Sequence, residues 1–191
     1  GFIGARPRPI RGFVDQVATA IVSQGFSCQV IDSSALSSAS DWFSRVEDAH
    51  DFVLYVAEAE ERTWSALCAR QVDRLFIVAN TAVWLDTVQP GRWFHAVEGD
   101  AADAARIARV VTGTAVGVVF SGGGARAYAH VGALKALAEA RVPIDFVGGS
   151  SMGAVVAAGP AMGWDQEELE ARICKAFVDS DPLSDITFPL V

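Results

Sequence analysis

The chain has 191 residues, which is enough for one medium domain or two small ones, each able to bury a core. Hydrophobic residues make up 51% of it and charged residues 20%, a composition that excludes an intrinsically disordered chain. Acidic residues outnumber basic ones by 23 to 15, and the basic residues do not form a cluster in the sequence. The charge therefore excludes an electrostatic surface for nucleic acid, and any membrane contact would have to be apolar.

The cysteines and the termini indicate the cellular compartment of the protein. Cys28, Cys68 and Cys174 are widely spaced and have no histidine at metal-ligand spacing beside them, so we expect free thiols in a reducing compartment and no metal or cofactor. No signal peptide opens the chain, and the uncharged stretch 151–164 is too short to span a bilayer. The sequence predicts a cytoplasmic protein, soluble or peripheral to the inner membrane, and its ends predict a piece of a longer chain.

Strand-like and helix-like patterns alternate along the chain. A helix is predicted over 13–24, where apolar residues recur on one face and Gly25 provides a stop. Continuous runs rich in β-branched residues predict strands buried on both faces, at 26–31, 51–57, 74–80, 115–121 and 144–150. This alternation predicts an α/β fold with a mostly parallel sheet and flanking helices.

A boundary is predicted where Gly113 ends a helix and a new strand begins two residues later. It divides the chain into a Rossmann-like α/β block, 1–113, and a second block, 114–191. The first block carries no recognisable chemistry. Its aromatic and histidine side chains are predicted to be structural, namely Trp42, Trp64, Trp84, Trp93, His50 and His95.

The second block opens with the stretch "GVVFSGGGARAYAHVGALKALAEA", in which a strand runs through three glycines into a helix. Gly122, Gly123 and Gly124 leave backbone N–H groups uncovered, so the loop is suited to hold negative charge. One interpretation is a dinucleotide fingerprint over Gly122–Ala127 with Asp145 as the ribose ligand. However, that ligand belongs at the carboxyl end of the second strand, and Asp145 begins it.

The carboxyl end of that strand carries the stretch "DFVGGSSMGA" at 145–154. It fits the pattern Gly-x-Ser-x-Gly in one register only, with Ser151 between Gly149 and Gly153. Small residues are needed there because a nucleophile elbow turns sharply from strand to helix. Ser151 would then stand at the amino end of a helix, whose dipole favours developing negative charge, while the glycine loop supplies an oxyanion hole. His130 is the only histidine of this block and is predicted to be structural rather than a catalytic base.

The pairing of "GGGARA" with "GGSSMGA" resembles the patatin-like phospholipases, most closely the bacterial branch related to neuropathy target esterase. The resemblance is specific over residues 115–178 and implies the first part of a patatin-type three-layer domain. It also implies that Ser151 is the nucleophile of a Ser-Asp dyad, that Gly122, Gly123 and Gly124 line the oxyanion hole, and that Arg126 supports the loop. Residues 1–113 resemble the α/β segment that precedes the catalytic domain in that branch.

Two features depart from the family pattern. Ala127 stands where the family usually has glycine. The family's Asp-Gly-Gly or Asp-Gly-Ala motif has no match either, because none of the aspartates after Ser151 is followed by glycine; these are Asp165, Asp179, Asp181 and Asp185. Asp165 instead predicts a helix cap, with Glu168 completing a capping box.

The resulting prediction is a serine acyl hydrolase acting on phospholipid or lysophospholipid esters, with the base beyond residue 191 and this chain alone poorly active. Two alternatives stay open at this point. One is a dinucleotide-binding module that uses Gly122–Ala127, and the other is a non-catalytic regulatory fragment folded around 1–113.

Overall fold

The computed structural model describes residues 1–5, 8–78, 93–97 and 100–179. The chain divides into two compact units, Gly1–Thr114 and Ala115–Val191. This division lies one residue after the position expected from the sequence.

In its described residues, the first unit is a five-stranded sheet with helices packed against it. Its strands are β1 (Phe2–Gly4), β2 (Cys28–Ile31), β3 (Phe52–Ala57), β4 (Leu75–Val78) and β5 (Trp93–Ala96), and its helices are α1 (Arg11–Ser23), α2 (Ser40–Ala49), α3 (Arg62–Gln71) and α4 (Ala101–Thr112). All neighbouring strands are parallel, in the order β2-β3-β1-β4-β5, which confirms the predicted α/β class. The order differs from the dinucleotide-binding order 3-2-1-4-5, because β3 rather than β2 lies beside β1.

Alternating side chains of the strands face two different layers of the first unit. Ile3, Tyr55 and Ile77 pack with Trp64 of α3 in one core cluster, while Phe2 and its neighbour Phe76 stack with ring centroids 4.9 Å apart. This alternation follows from the period of two residues in a strand. The sheet is therefore covered by apolar side chains on both faces, as the continuous apolar runs predicted.

The aromatic and histidine residues of the first unit differ in their surroundings. Trp64 is buried, and its Nε1 donates to the Val56 carbonyl at 2.6 Å, whereas Trp42 is half-buried against Phe43. The His50 ring lies 3.0 Å from the Val46 carbonyl oxygen. Trp84 and the side chains of Trp93 and His95 lie outside the described residues.

Two glycines end helices where the sequence placed a stop. Gly25 follows α1 with φ +93°, and Gly113 ends α4 with φ +76°. Both are left-handed conformations that glycine adopts without the steric penalty of a Cβ. At the start of α4, the Asp100 carboxylate accepts a hydrogen bond from the Ala102 amide.

As far as residue 179, the second unit contains two parallel strands, β6 (Gly117–Phe120) and β7 (Phe146–Gly149), and three α-helices, α5 (Ala129–Glu139), α6 (Met152–Ala161) and α7 (Gln166–Cys174). A 3-10 turn, Gly124–Tyr128, precedes α5 and a π-helical turn, Lys175–Asp179, follows α7. The core of this unit gathers one strand residue and six helix residues: Phe120, Val131, Leu134, Val156, Ala157, Leu169 and Ile173.

Two expectations for the second unit are wrong. Strands buried on both faces were predicted, but the Val119 side chain is 82% exposed and Phe146 is 45% exposed. Among the described residues, the core lies on the Phe120 side of the strands. The capping box is also incomplete: Asp165 accepts from the Glu168 amide at 2.8 Å, but the Glu168 carboxylate pairs with Arg172.

The three cysteines are free thiols. Burial raises the pKa of Cys28 to about 11 and that of Cys68 to about 12, so both thiols stay protonated at neutral pH and are poor nucleophiles. Within the part of the chain that the structure describes, no helix is both long and apolar enough to cross a bilayer.

Candidate active site

The glycine loop and the serine turn meet at the carboxyl ends of β6 and β7. Phe120, the last residue of β6, lies opposite Gly149, the last residue of β7. The Ser150 amide then donates to the Phe120 carbonyl at 3.1 Å, and the Gly122 amide donates to the Ser150 hydroxyl at 3.1 Å. Gly122 and Ser150 are 28 residues apart in the sequence, so this contact forms only in the folded unit.

Ser151 occupies a backbone conformation that is unusual for a residue other than glycine. Its φ is +49° and its ψ is −130°, and it stands immediately before α6. Such strained conformations cost about 1–3 kcal/mol and cluster at functional sites. The turn also places Ser151 at the positive end of the α6 dipole, which favours negative charge near it.

The two glycines that flank Ser151 are required by backbone packing. A Cβ on Gly149 would lie 2.5 Å from the Ala154 nitrogen and from the Gly153 carbonyl group. A Cβ on Gly153 would lie 2.4 Å from the carbonyl oxygens of Phe120 and Ser121. Because these contacts are with backbone atoms, no side-chain movement relieves them. The predicted elbow therefore has a physical basis at both glycine positions.

The three glycines of the loop are not equivalent. The Gly122 N–H is engaged by the Ser150 hydroxyl, and a Cβ on Gly122 would lie 3.1 Å from the Ser151 Cβ. Gly123 and Gly124 are exposed, and Gly124 has φ +55°. Gly122 therefore holds the loop against the serine turn. The assignment of Gly122, Gly123 and Gly124 to the lining of an oxyanion hole stays a prediction.

Arg126 and Ala127 lie in the turn that follows the glycines. The Arg126 backbone amide donates to the Gly123 carbonyl at 3.1 Å, and its side chain is exposed. Arg126 thus connects to the loop through its backbone. Ala127 is buried, so the methyl group that departs from the family pattern is accommodated inside the unit.

His130 contacts the loop through a backbone carbonyl. Its Nε2 lies 2.9 Å from the Ser121 carbonyl oxygen, and its ring packs 5.1 Å from that of Phe120. Within the described residues, no carboxylate or imidazole hydrogen-bonds to the Ser151 hydroxyl. Asp181, Asp185 and the side chain of Asp179 lie outside the described residues.

Asp145 lies at the opposite end of β7 from the glycine loop. Its carboxylate accepts from the Val116 amide at 2.9 Å, and its own amide donates to the Val116 carbonyl at 2.8 Å. With a rise of about 3.3 Å per residue, the strand separates Asp145 from the serine turn by roughly 15 Å. The two parts of the dinucleotide fingerprint are therefore not brought together.

The sequence reasoning missed the anchoring role of Ser150. The Gly-x-Ser-x-Gly pattern gave a role to Ser151 and none to Ser150. The hydroxyl contact with Gly122 depends on the pairing of two strands, so no local pattern in the sequence reports it.

Comparison with known proteins places these features in a family. Residues 118–186 match the family model of patatin-like phospholipases, and residues 11–93 match that of the neuropathy target esterase family P-loop like domain. The chain is 30% identical over 214 residues to an uncharacterized NTE family protein of Mycobacterium tuberculosis, covering 93% of this chain and 36% of that protein. The second unit thus matches the patatin-like phospholipases over most of its length, and the first unit matches the neuropathy target esterase family over most of its length. The resemblance seen in the glycine loop and serine turn is thereby confirmed.

Animal relatives extend this comparison. The chain is 28% identical over 238 residues to patatin-like phospholipase domain-containing protein 6 of Homo sapiens, covering 89% of this chain and 17% of that protein. It is 26% identical over 237 residues to patatin-like phospholipase domain-containing protein 7 of Rattus norvegicus, covering 88% of this chain and 18% of that protein. The chain thus spans about a third of the mycobacterial relative and less than a fifth of these animal ones. No solved structure matches it significantly.

Proposed function

We propose that the full-length protein is a serine acyl hydrolase that cleaves phospholipid or lysophospholipid esters, with Ser151 as its nucleophile. The observation that carries this proposal is the conformation of Ser151, held between two obligatory glycines at the amino end of α6. The glycine loop lies beside it through the bond between Gly122 and Ser150. This combination presents a hydroxyl group together with backbone donors, as acyl transfer requires.

The proposed reaction proceeds through an acyl-enzyme. The Ser151 Oγ attacks the ester carbonyl carbon while a carboxylate outside the described residues takes its proton, forming a Ser-Asp dyad. The carbonyl oxygen becomes negative and accepts hydrogen bonds from the amides of Gly123 and Gly124. The leaving alcohol departs with the proton, and water then hydrolyses the Ser151 ester with the same carboxylate as base.

The same proposal assigns roles to the two parts of the chain. Residues 1–113 form the α/β block that precedes the catalytic domain, and residues 114–191 form the amino-terminal portion of that domain. The proposal also includes a cytoplasmic location with peripheral contact to the inner membrane. Because the net charge is −8, this contact would be made by apolar side chains. Val155 of α6 and Met162, the residue that follows α6, are exposed and are suited to such a contact. Nucleic acid is not a proposed partner.

The proposal is tested with a fluorophosphonate probe on the full-length protein, with the adduct located by peptide mass spectrometry. We expect a single adduct on Ser151, and we expect Ser151→Ala to remove it. Labelling that persists in Ser151→Ala, or an adduct that maps to Ser150, would show that the elbow does not present the nucleophile.

A second prediction concerns the anchor of the loop. Ser150→Ala removes the acceptor of the Gly122 N–H, and a hydrogen bond of this kind contributes about 1 kcal/mol. We expect the rate of probe labelling at Ser151 to fall about fivefold, because the loop is then held less firmly. Ser150→Thr keeps the hydroxyl group and serves as the control, with a rate near that of the wild type. Equal rates for Ser150→Ala and the wild type would rule out this anchoring role.

A further inference from the structure

At the carboxyl ends of the strands of the first unit, the side chain of Glu58 lies at the start of helix α1. Both carboxylate oxygens of Glu58 accept from the Ile10 amide, at 3.0 and 3.2 Å, and Ile10 caps the amino end of α1. Glu58 follows β3, which pairs directly with β1. A nucleotide-binding P-loop places its phosphates in this part of a fold, after the first strand and at the amino end of the next helix.

We propose that the Glu58 carboxylate occupies the place of a nucleotide phosphate, so that the first unit is a scaffold that does not bind nucleotides. This inference concerns the P-loop like unit alone and does not depend on the hydrolase proposal. Glu58 supplies the negative charge that the amino end of α1 favours, and it does so within the folded chain.

Neighbouring acidic side chains add negative charge to the same edge. Glu61 accepts from the Glu58 amide at 3.0 Å and also bonds to the Ser33 hydroxyl. Asp32, which follows β2, pairs with Arg11 at 2.6 Å. Hydrogen bonds from the Ser34 hydroxyl and amide, and then Arg11, lower the pKa of Asp32 below its ordinary value. Asp32 therefore remains ionised at neutral pH and would repel a phosphate.

The cation at the start of α1 is already engaged. Arg11 binds Asp15 at 2.9 Å as well as Asp32, and Arg8 also has an interaction partner. Arg11 is therefore held by two carboxylates of its own unit, which compete with an incoming phosphate for its guanidinium group.

The sequence between β1 and α1 lacks the groups of a phosphate cradle. Residues 4–12 read "GARPRPIRG" and contain neither the lysine nor the serine or threonine of a P-loop. Pro7 and Pro9 also remove two backbone N–H donors. The match to the P-loop like family model begins at residue 11, after this stretch.

The first test measures binding of ATP with Mg²⁺, and of inorganic phosphate, to the wild-type protein by isothermal titration calorimetry. We expect no saturable heat and no rise in melting temperature at millimolar concentrations. Stoichiometric binding of either compound to this unit would overturn the proposal, and this result does not require any variant to fold.

The second test compares Glu58→Ala with Glu60→Ala in thermal denaturation. Losing a helix-capping contact costs about 1 kcal/mol, which for a domain of this size lowers the melting temperature by about 5 °C. Glu60 is exposed in the same loop, so Glu60→Ala is expected to leave the melting temperature unchanged. If Glu58→Ala fails to fold, Glu58→Gln, which keeps one acceptor oxygen, is expected to show a smaller loss. Equal melting temperatures for the Glu58 variants and the wild type would contradict the proposal.

Discussion

Gly153→Ala is expected to abolish probe labelling at Ser151 and to destabilise the second unit by about 3 kcal/mol, the upper part of the range for forced overpacking. The added Cβ would lie 2.4 Å from the carbonyl oxygens of Phe120 and Ser121 and 2.7 Å from the Phe120 carbonyl carbon. These atoms end β6 and lead into the glycine loop, so the clash would displace α6 from the strand. The labelling rate and the urea midpoint of the second unit both measure this effect.

Gly132→Ala provides the matched control for that variant. Gly132 lies in α5, where an added Cβ meets nothing within 4 Å, so alanine should stabilise the helix by about 0.5–1 kcal/mol. Both variants add one methyl group to a helical glycine of the same unit. Gly153→Ala is expected to lower the stability of the unit, and Gly132→Ala is expected to raise it. Normal labelling and stability in Gly153→Ala would mean that α6 does not pack on β6 as described.

Trp64→Ala is expected to lower the free energy of unfolding of the first unit by about 3–5 kcal/mol, the usual cost of removing a buried tryptophan. Trp64 is only 1% exposed, and its ring packs 6.0 Å from that of Tyr55. Its Nε1 also donates to the Val56 carbonyl, which would lose its partner in the variant. Urea denaturation followed by far-ultraviolet circular dichroism measures the loss.

Trp42→Ala is the control for this prediction because Trp42 is half-buried against Phe43 in the same unit. Less apolar surface is removed from contact there, so its loss of stability should be clearly smaller. Trp64→Phe should fall between the two, since it keeps an aromatic ring but leaves the Val56 carbonyl without its donor. A loss for Trp42→Ala as large as that for Trp64→Ala would place the centre of this core elsewhere.

Much of the candidate site was predictable because its pattern is local. The register of Gly-x-Ser-x-Gly selects Ser151 over Ser150, and the steric reason for both glycines lies within the turn and the end of the adjacent strand. The difference between Gly122 and the other two loop glycines was not predictable. It depends on the contact between Gly122 and Ser150, which forms only when β6 pairs with β7.

The fold shows a similar division between what was predicted and what was missed. Strands with four or more consecutive apolar residues were found near their predicted positions, as in β3 and β4. β1, with three residues, is too short to show a period and was not predicted. The exposure of Val119 was missed as well, because a continuous apolar run reports hydrophobicity but not which elements cover the strand.

The sequence by itself determined the α/β class, the helix stops at Gly25 and Gly113, the nucleophile candidate and the family resemblance, because each depends on side chains close together in the chain. Only the tertiary structure decided the strand order, the anchoring of the glycine loop by Ser150 and the carboxylate of Glu58 at α1. Glu58 and Ile10 are 48 residues apart, and their contact exists because β3 lies beside β1. Such contacts depend on which strands pair, and strand pairing is set by packing over the whole unit rather than by a local pattern.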